Sequence, residues 1–267
     1  MSYVLVEKPR PGVALITLNR PERMNAMAFD VMVPFKEALE TLSFDNETRV
    51  VVVTGAGEGF CSGADLEDPG WLDIFDGLTV PGIARRAMKI LEDVIKAIHD
   101  MHQPVIGAIN GPAIGGGFCL AMATDIRVAA DGAWFRPAGI NNGLTSAELG
   151  LSYLLPRAIG TSRAFDIMLT GRDVDASEAQ AIGMVSEVVP SGELLERCYE
   201  MAERICGFSQ LGVELSKQML WAGIDDGSLH THMNHEGHAQ LFVRMTTRNF
   251  EEAIVARREG RAPRFED

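Results

Sequence analysis

The sequence predicts an α/β fold followed by a helical part, and three observations support this. Short β-branched runs alternate with amphipathic helical stretches as far as Asp131, and no strand pattern follows Val189. The chain has 267 residues, of which 46% are hydrophobic and 23% charged, so it can bury one large core with a helical appendage. We therefore expect a core domain over residues 1–200 and a C-terminal helical domain over residues 201–267.

The predicted elements alternate along the chain. Strands are expected where β-branched residues cluster, and helices where apolar residues recur with a period of 3.6. The predicted strands are 13–17, 50–54, 105–109 and 126–129, and the predicted helices include 28–42, 81–101, 211–221 and 250–258. Residues 63–82 hold five acidic residues and show little periodicity, which is typical of a surface loop over a pocket.

Composition excludes several classes of function. The formal net charge of −13 repels nucleic acid phosphates, and no basic stripe offsets it. No run approaches the roughly 18 consecutive apolar residues of a membrane span, so no membrane partner is expected and the cytoplasm is the default location. Cysteines 61, 119, 198 and 206 form no CxxC pair, and they are typical of free thiols in a reducing compartment.

Four histidines lie close together in the C-terminal part, at positions 230, 232, 235 and 238. His235 and His238 would share one face of a helix. Because no HExxH pattern accompanies them, a solvated or interface helix is favoured, and we expect no metal site.

Two glycine loops each follow a predicted buried strand. The first glycine loop covers residues 54–65, and its spacing is not the GxGxxG of a dinucleotide site. The second glycine loop covers residues 110–121 and runs into a helix, whose first amides are free to bind an anion. Backbone amides at the ends of neighbouring strands could together form an oxyanion hole on a carbonyl group, although an ordinary strand-to-loop turn explains each loop alone.

An ordered set of motifs resembles the crotonase (enoyl-CoA hydratase/isomerase) superfamily. These are residues 19–26 (NRPERMNA), 59–65 (GFCSGAD), 104–117 (PVIGAINGPAIGGG), 125–127 (DIR), 155–160 (LPRAIG) and 176–189. The resemblance implies a ββα spiral core and a C-terminal helical domain that assembles a homotrimer or a dimer of trimers. It also implies an acyl-CoA substrate and no cofactor other than the coenzyme A of that substrate.

The resemblance also implies a set of site residues. The backbone amides of Ala64 and Gly116 would form the oxyanion hole for a thioester enolate. Contacts to coenzyme A would come from Arg23, Met24, Asn25, Ser62, Ala64, Asp65, Leu66 and Gly116.

The sequence departs from the family where hydratases carry two glutamates. Cys119 stands at the first position and Gly139 at the second, so neither offers a proton carrier. Glu148 is the nearest replacement, in a region that supplies an acid to the acyl pocket of the family's dienoyl-CoA isomerases. The alternative is that Glu148 lies in the first turn of a short helix capped by Thr145 or Ser146, where the helix dipole favours an acid.

Cys119 supports two interpretations. In the first turn of a helix, the dipole lowers a thiol's pKa, which would make Cys119 a catalytic nucleophile. Alternatively, it is a small residue that fills the space of a glutamate. No histidine lies near it in sequence to act as a base, which favours the second interpretation.

Three functions remain open. We favour an enzyme that hydrates or isomerises an enoyl-CoA, with Glu148, Ala64 and Gly116 as its machinery. A protein that binds acyl-CoA without catalysis is the second, because Cys119 and Gly139 replace acids. A thioester hydrolase or C–C hydrolase of the same superfamily is the third.

Overall fold

The computed structural model describes residues 2–266. The strands in that range are β1 (Val4–Arg10), β2 (Val13–Leu18), β3 (Val50–Gly55), β4 (Val105–Ile109), β5 (Ala113–Ile114), β6 (Ile126–Ala130), β7 (Trp134–Arg136), β8 (Val174–Asp175) and β9 (Glu187–Val189). The helices are α1 (Phe29–Ser43), α2 (Val80–Asp100), α3 (Gly116–Ala123), α4 (Ala138–Asn141), α5 (Leu151–Ile159), α6 (Thr161–Thr170), α7 (Ala176–Ala181), α8 (Leu194–Cys206), α9 (Gln210–Asp225), α10 (Leu229–Thr246) and α11 (Asn249–Glu259). The predicted strands and helices are confirmed to within a few residues at their ends.

The strands form two sheets. The larger has six strands in the order β1-β2-β3-β4-β6-β9, and the smaller has three in the order β5-β7-β8. In the larger sheet β1 pairs antiparallel with β2, whereas β2, β3, β4, β6 and β9 are parallel. Neighbouring parallel strands end at the same edge of a sheet, so the two glycine loops that follow β3 and β4 begin side by side.

Both faces of the larger sheet are covered, which explains why β3 is buried along its whole length. Val51 and Val53 belong to a core cluster that includes residues of α1, α2 and α3. Val50 and Val52 face a second cluster that includes the buried residues of α8. The boundary predicted near residue 200 therefore falls inside a helix that packs on the sheet, and the two-domain division stays a prediction.

A buried ion pair attaches α9 to the core. Lys217 Nζ lies 3.0 Å from Asp125 Oδ2, and their side chains are 5% and 14% exposed. The same ammonium group donates hydrogen bonds to the carbonyl oxygens of Ile98 and Gln103. Trp221 Nε1 donates to the other carboxylate oxygen of Asp125 at 2.6 Å. The ends of α2 and β6 and one face of α9 are thus held by a single polar cluster.

The helix α10 is different, because none of its residues is buried. Leu241, Phe242 and Met245 on this helix are more than half exposed. Within residues 2–266 no helix has both the length and the apolar character needed to cross a bilayer.

We predict that Lys217→Met lowers the free energy of unfolding by about 3–5 kcal/mol, because it leaves a buried carboxylate without its cation. Urea unfolding followed by circular dichroism measures the change. The matched control is Lys96→Met, because Lys96 is 56% exposed and pairs with Glu92 and Asp93 at the surface. The control should change the free energy by less than about 1 kcal/mol. Equal effects of the two substitutions would contradict the anchoring role.

Candidate active site

The two glycine loops touch backbone to backbone. The amides of Phe60 and Cys61 both donate to the carbonyl of Pro112 at 3.1 Å, and the amide of Ile114 donates to the carbonyl of Cys61 at 3.0 Å. A side chain on Gly117 would collide with the carbonyl oxygen of Cys61. Glycine is therefore required at this point so that α3 can begin against the first loop.

The amides of Ala64 and Gly116 face the junction between the loops. Met27 pairs with Ala64 in a parallel bridge that uses the carbonyl of Gly63 and the amide of Asp65. Amides alternate along an extended strand, so the N–H of Ala64 points away from Met27. Gly116 is the first residue of α3, so its N–H has no acceptor inside the helix.

Gly63, the residue before Ala64, packs against the start of α3. A methyl group added to Gly63 would lie 3.2 Å from the amide nitrogen of Gly116. Neither the N–H of Ala64 nor that of Gly116 is taken up by an acceptor among the described residues. The structure thus leaves both amides that the sequence predicts free at the junction of the loops, and their role as an oxyanion hole stays a prediction.

The segment before α1 is fixed by Asn25, which is fully buried. Its side-chain amide donates to the carbonyls of Ala56 and Gly59 at 2.9 and 2.8 Å, and its Oδ1 accepts from the amide of Arg20. Met24 and Asn25 both adopt positive φ angles, 49° and 55°. Both polar atoms of the Asn25 side chain are occupied by these hydrogen bonds, so the side chain positions the neighbouring backbone. The contact to coenzyme A that is predicted for Asn25 would therefore come from its backbone.

Asp65 plays a similar part on the other side. Its carboxylate is buried, accepts hydrogen bonds from Arg23, and lies 3.1 Å from the guanidinium of Arg20. The hydrogen bonds from Arg23 hold the pKa of Asp65 well below its usual range. Ser62 donates its hydroxyl to the carbonyl of Arg23, while Leu66 is 81% exposed. Hydrogen bonds thus link Arg23 to both Ser62 and Asp65, and the contacts of these residues to coenzyme A stay a prediction.

Glu148 lies beside the second glycine loop. Its Oε1 would be 3.6 Å from a methyl group on Gly115, the residue before Gly116. Its side chain has no ion pair among residues 2–266, and burial raises the pKa of its carboxyl. Met27 and Leu149 complete the surroundings, because both approach Gly116. These two apolar residues carry no motif of their own, so nothing in the sequence marks them as site residues.

The expectation that Glu148 lies in the first turn of a helix is wrong. It precedes α5, and Leu149 and Gly150 intervene with φ angles of 43° and 84°, in the left-handed region. Thr145 accepts from the amide of Ala147, and Ser146 donates to the carbonyl of Met168, so neither caps a helix. A helix dipole therefore does not explain the acid at position 148.

Cys119 is fully buried in α3. Its thiol lies 3.5 Å from the carbonyl oxygen of Glu148, and burial raises its pKa well above the ordinary value. A thiol that stays protonated is a poor nucleophile. The geometry favours the space-filling interpretation.

Gly139 has no room for a side chain, because a methyl group there would collide with the carbonyl oxygen of Thr145. The second glutamate of the family's hydratases therefore cannot be accommodated on this backbone.

The chain is similar to proteins of one family over nearly its whole length. Residues 8–267 match the family model described as enoyl-CoA hydratase/isomerase. A protein of Mycobacterium bovis described as a probable enoyl-CoA hydratase is 63% identical over 100% of this chain and 94% of its own. The crystal structure of a probable enoyl-CoA hydratase/isomerase from Mycobacterium abscessus is 62% identical, with a TM-score of 0.95 over 99% of both chains. A monofunctional enoyl CoA isomerase from M. smegmatis is 57% identical, with a TM-score of 0.75 over 87% of this chain and 99% of its own. The expected fold class, a crotonase-like core with C-terminal helices, is thereby confirmed.

We predict that Gly139→Ala lowers the free energy of unfolding by about 1–3 kcal/mol, because the added methyl group overpacks against Thr145. Urea unfolding measures the effect. Gly132→Ala is the control, because nothing lies within 4 Å of a methyl group at that position. If both variants were as stable as the parent chain, the backbone near Thr145 would have to move aside at little cost in free energy, which would contradict the prediction.

Proposed function

Because this chain belongs to the enoyl-CoA hydratase/isomerase family, we propose that it moves a carbon–carbon double bond in an enoyl-CoA thioester. The observation that carries the proposal is the half-buried carboxylate of Glu148 beside Gly115, the residue before Gly116. One carboxylate is sufficient for an isomerisation, because the proton that is removed is also the proton that is returned.

The proposed reaction starts from a 3-enoyl thioester. The carboxylate of Glu148 takes a proton from C2, and the electron pair of that C–H bond delocalises onto the thioester oxygen as a dienolate. The amides of Ala64 and Gly116 donate hydrogen bonds to that oxygen as its negative charge develops. Glu148 then gives the same proton to C4, the double bond comes to lie between C2 and C3, and the carboxylate is regenerated.

Burial of Glu148 supports this role. A carboxyl group whose pKa is raised is a stronger base when it is ionised. Its pKa is then closer to that of the weakly acidic C2–H bond, which favours proton transfer. Met27 and Leu149 surround the same point with apolar atoms, which would limit water near the dienolate.

Hydration is the second candidate, because the 63% identical relative is described as a probable enoyl-CoA hydratase. Glu148 would then have to orient the water and transfer its proton alone, since Cys119 and Gly139 carry no acid. The crystal structure described as a monofunctional enoyl CoA isomerase, at 57% identity, supports the first candidate.

The two reactions are separated by one assay. Conversion of 3-hexenoyl-CoA into its conjugated isomer raises the ultraviolet absorbance of the enoyl thioester, whereas hydration of crotonyl-CoA lowers it. We expect the first activity to exceed the second. The contacts to coenzyme A, a homotrimer or dimer of trimers and a cytoplasmic location stay predictions.

We predict that Glu148→Gln reduces kcat for isomerisation by about 10²- to 10⁴-fold, because the amide cannot accept the C2 proton. Calorimetric titration with the product enoyl-CoA should show little change in binding. The control is Glu37→Gln, which alters an exposed glutamate of α1 and should leave kcat unchanged. Full activity of Glu148→Gln would remove Glu148 from the mechanism, and an inactive parent chain that binds acyl-CoA would support the non-catalytic carrier.

The pH dependence follows from the raised pKa of Glu148. The ionised form is the base, so kcat/KM should fall as the pH drops through this pKa. Because burial raises that pKa, the fall should begin at a higher pH than for an exposed glutamate. A rate profile that is flat down to the ordinary range of glutamate would contradict this assignment.

We predict that Cys119→Ala keeps kcat within about threefold of the parent value, because a buried thiol with a raised pKa is not a nucleophile. Steady-state isomerisation measures this. Mass spectrometry of the quenched parent enzyme should show no acylated chain. An acyl adduct on Cys119 together with an inactive variant would instead support the thioester hydrolase.

A further inference from the structure

Three donor atoms converge at the turn between α9 and α10, far in sequence from the glycine loops. Asp226 follows the last residue of α9, and His232 and His235 lie in the first turns of α10. One atom from each residue lies within 4.8 Å of the other two. We propose that this cluster binds a divalent transition-metal ion of the Zn²⁺ class.

The spacing fits a tetrahedral ion. Asp226 Oδ2 lies 3.3 Å from His232 Nδ1 and 3.7 Å from His235 Nδ1. Ligands at about 2.0–2.1 Å from a tetrahedral Zn²⁺ are roughly 3.4 Å from one another. Imidazole nitrogen and carboxylate oxygen are both common zinc donors, and three protein ligands leave a fourth position for water.

His232 is arranged as a ligand would be. Its Nδ1 is buried and has no hydrogen-bond partner, since the carboxylate of Asp226 is near but not in hydrogen-bonding geometry. Its other nitrogen, Nε2, lies 3.4 Å from Glu236 Oε1. A carboxylate on the far nitrogen fixes that nitrogen as the N–H and turns the lone pair of Nδ1 toward the ion.

The fold makes room for this ring. A side chain on Gly223 would lie 3.0 Å from His232 Nε2, so glycine at this position of α9 lets the imidazole pack against the helix. His235 is 55% exposed at its side chain, which gives an ion a path from solvent. An ion here would fasten the start of α10 to the end of α9.

The sequence pattern does not reveal this site, because its three donors do not lie on one helix. The histidines lack the HExxH arrangement, so the sequence predicts no metal site. Helical periodicity places His235 on one face with His238 rather than with Asp226. The third donor, Asp226, lies before α10 begins, so no helical periodicity connects it to the histidines. Only the turn at residues 226–228 brings it to them.

The test is calorimetric titration of Zn²⁺ into the tag-free, chelator-stripped full chain. We expect one ion per chain, and a loss of affinity of more than about 100-fold in His232→Ala and His235→Ala. Glu236→Gln should weaken binding by about 10- to 100-fold, because it changes the group that orients His232. His230→Ala and His238→Ala are the matched controls on the same helix and should bind as the parent does.

A second probe tests whether the cysteines bind the ion instead. The visible spectrum of the Co²⁺ form should lack thiolate charge-transfer bands, because the four cysteines at positions 61, 119, 198 and 206 take no part. Asp226→Asn keeps the side-chain shape and should lose Zn²⁺ affinity while circular dichroism shows a folded chain. The proposal is overturned if the parent chain binds no Zn²⁺, or if His232→Ala and Asp226→Asn bind as tightly as the parent.

Discussion

The site depends on one contact, in which the backbone of the first glycine loop lies directly on the backbone of the second. Gly117 touches the carbonyl of Cys61 with no space for a side chain, and Pro112 accepts two amides from the first loop. Backbone groups that bond to each other in this way cannot move independently. The amides of Ala64 and Gly116 are therefore held in place before any ligand arrives, which is what electrostatic preorganisation requires.

A buried carboxylate, Asp65, and a half-buried one, Glu148, have opposite pKa shifts near this contact. Asp65 accepts hydrogen bonds from Arg23, so its pKa is lowered and it stays ionised as a structural anchor. Glu148 has no cation beside it among the described residues, so burial raises its pKa. The same chemical group is thus kept as a fixed charge in Asp65 and has, in Glu148, the raised pKa that the proposed proton transfer would use.

The strands and helices with a clear hydrophobic pattern were predicted, because that pattern depends only on residues near one another in sequence. The buried run of β3 and the helix pattern of α1 are visible in the sequence. The two glycine loops are visible as well, because each follows a buried strand. The small sheet was not predicted, because β5 and β8 have only two residues each and too little pattern to detect. The loop position of Glu148 was missed because the left-handed Leu149 is not a residue type that normally marks a helix start. The family resemblance identified Ala64 and Gly116, which composition alone could not.

The C-terminal helices are attached to the core unequally, and this bears on the expected assembly. A buried ion pair at Lys217 holds α9, whereas α10 buries none of its residues and leaves Leu241, Phe242 and Met245 exposed. An apolar face of this kind gains free energy when a second surface covers it. A trimer interface, which the resemblance implies, would supply that surface. The direction of α10 is determined at the turn after α9, so a metal ion held by Asp226, His232 and His235, as proposed above, would also fix how this apolar face is presented.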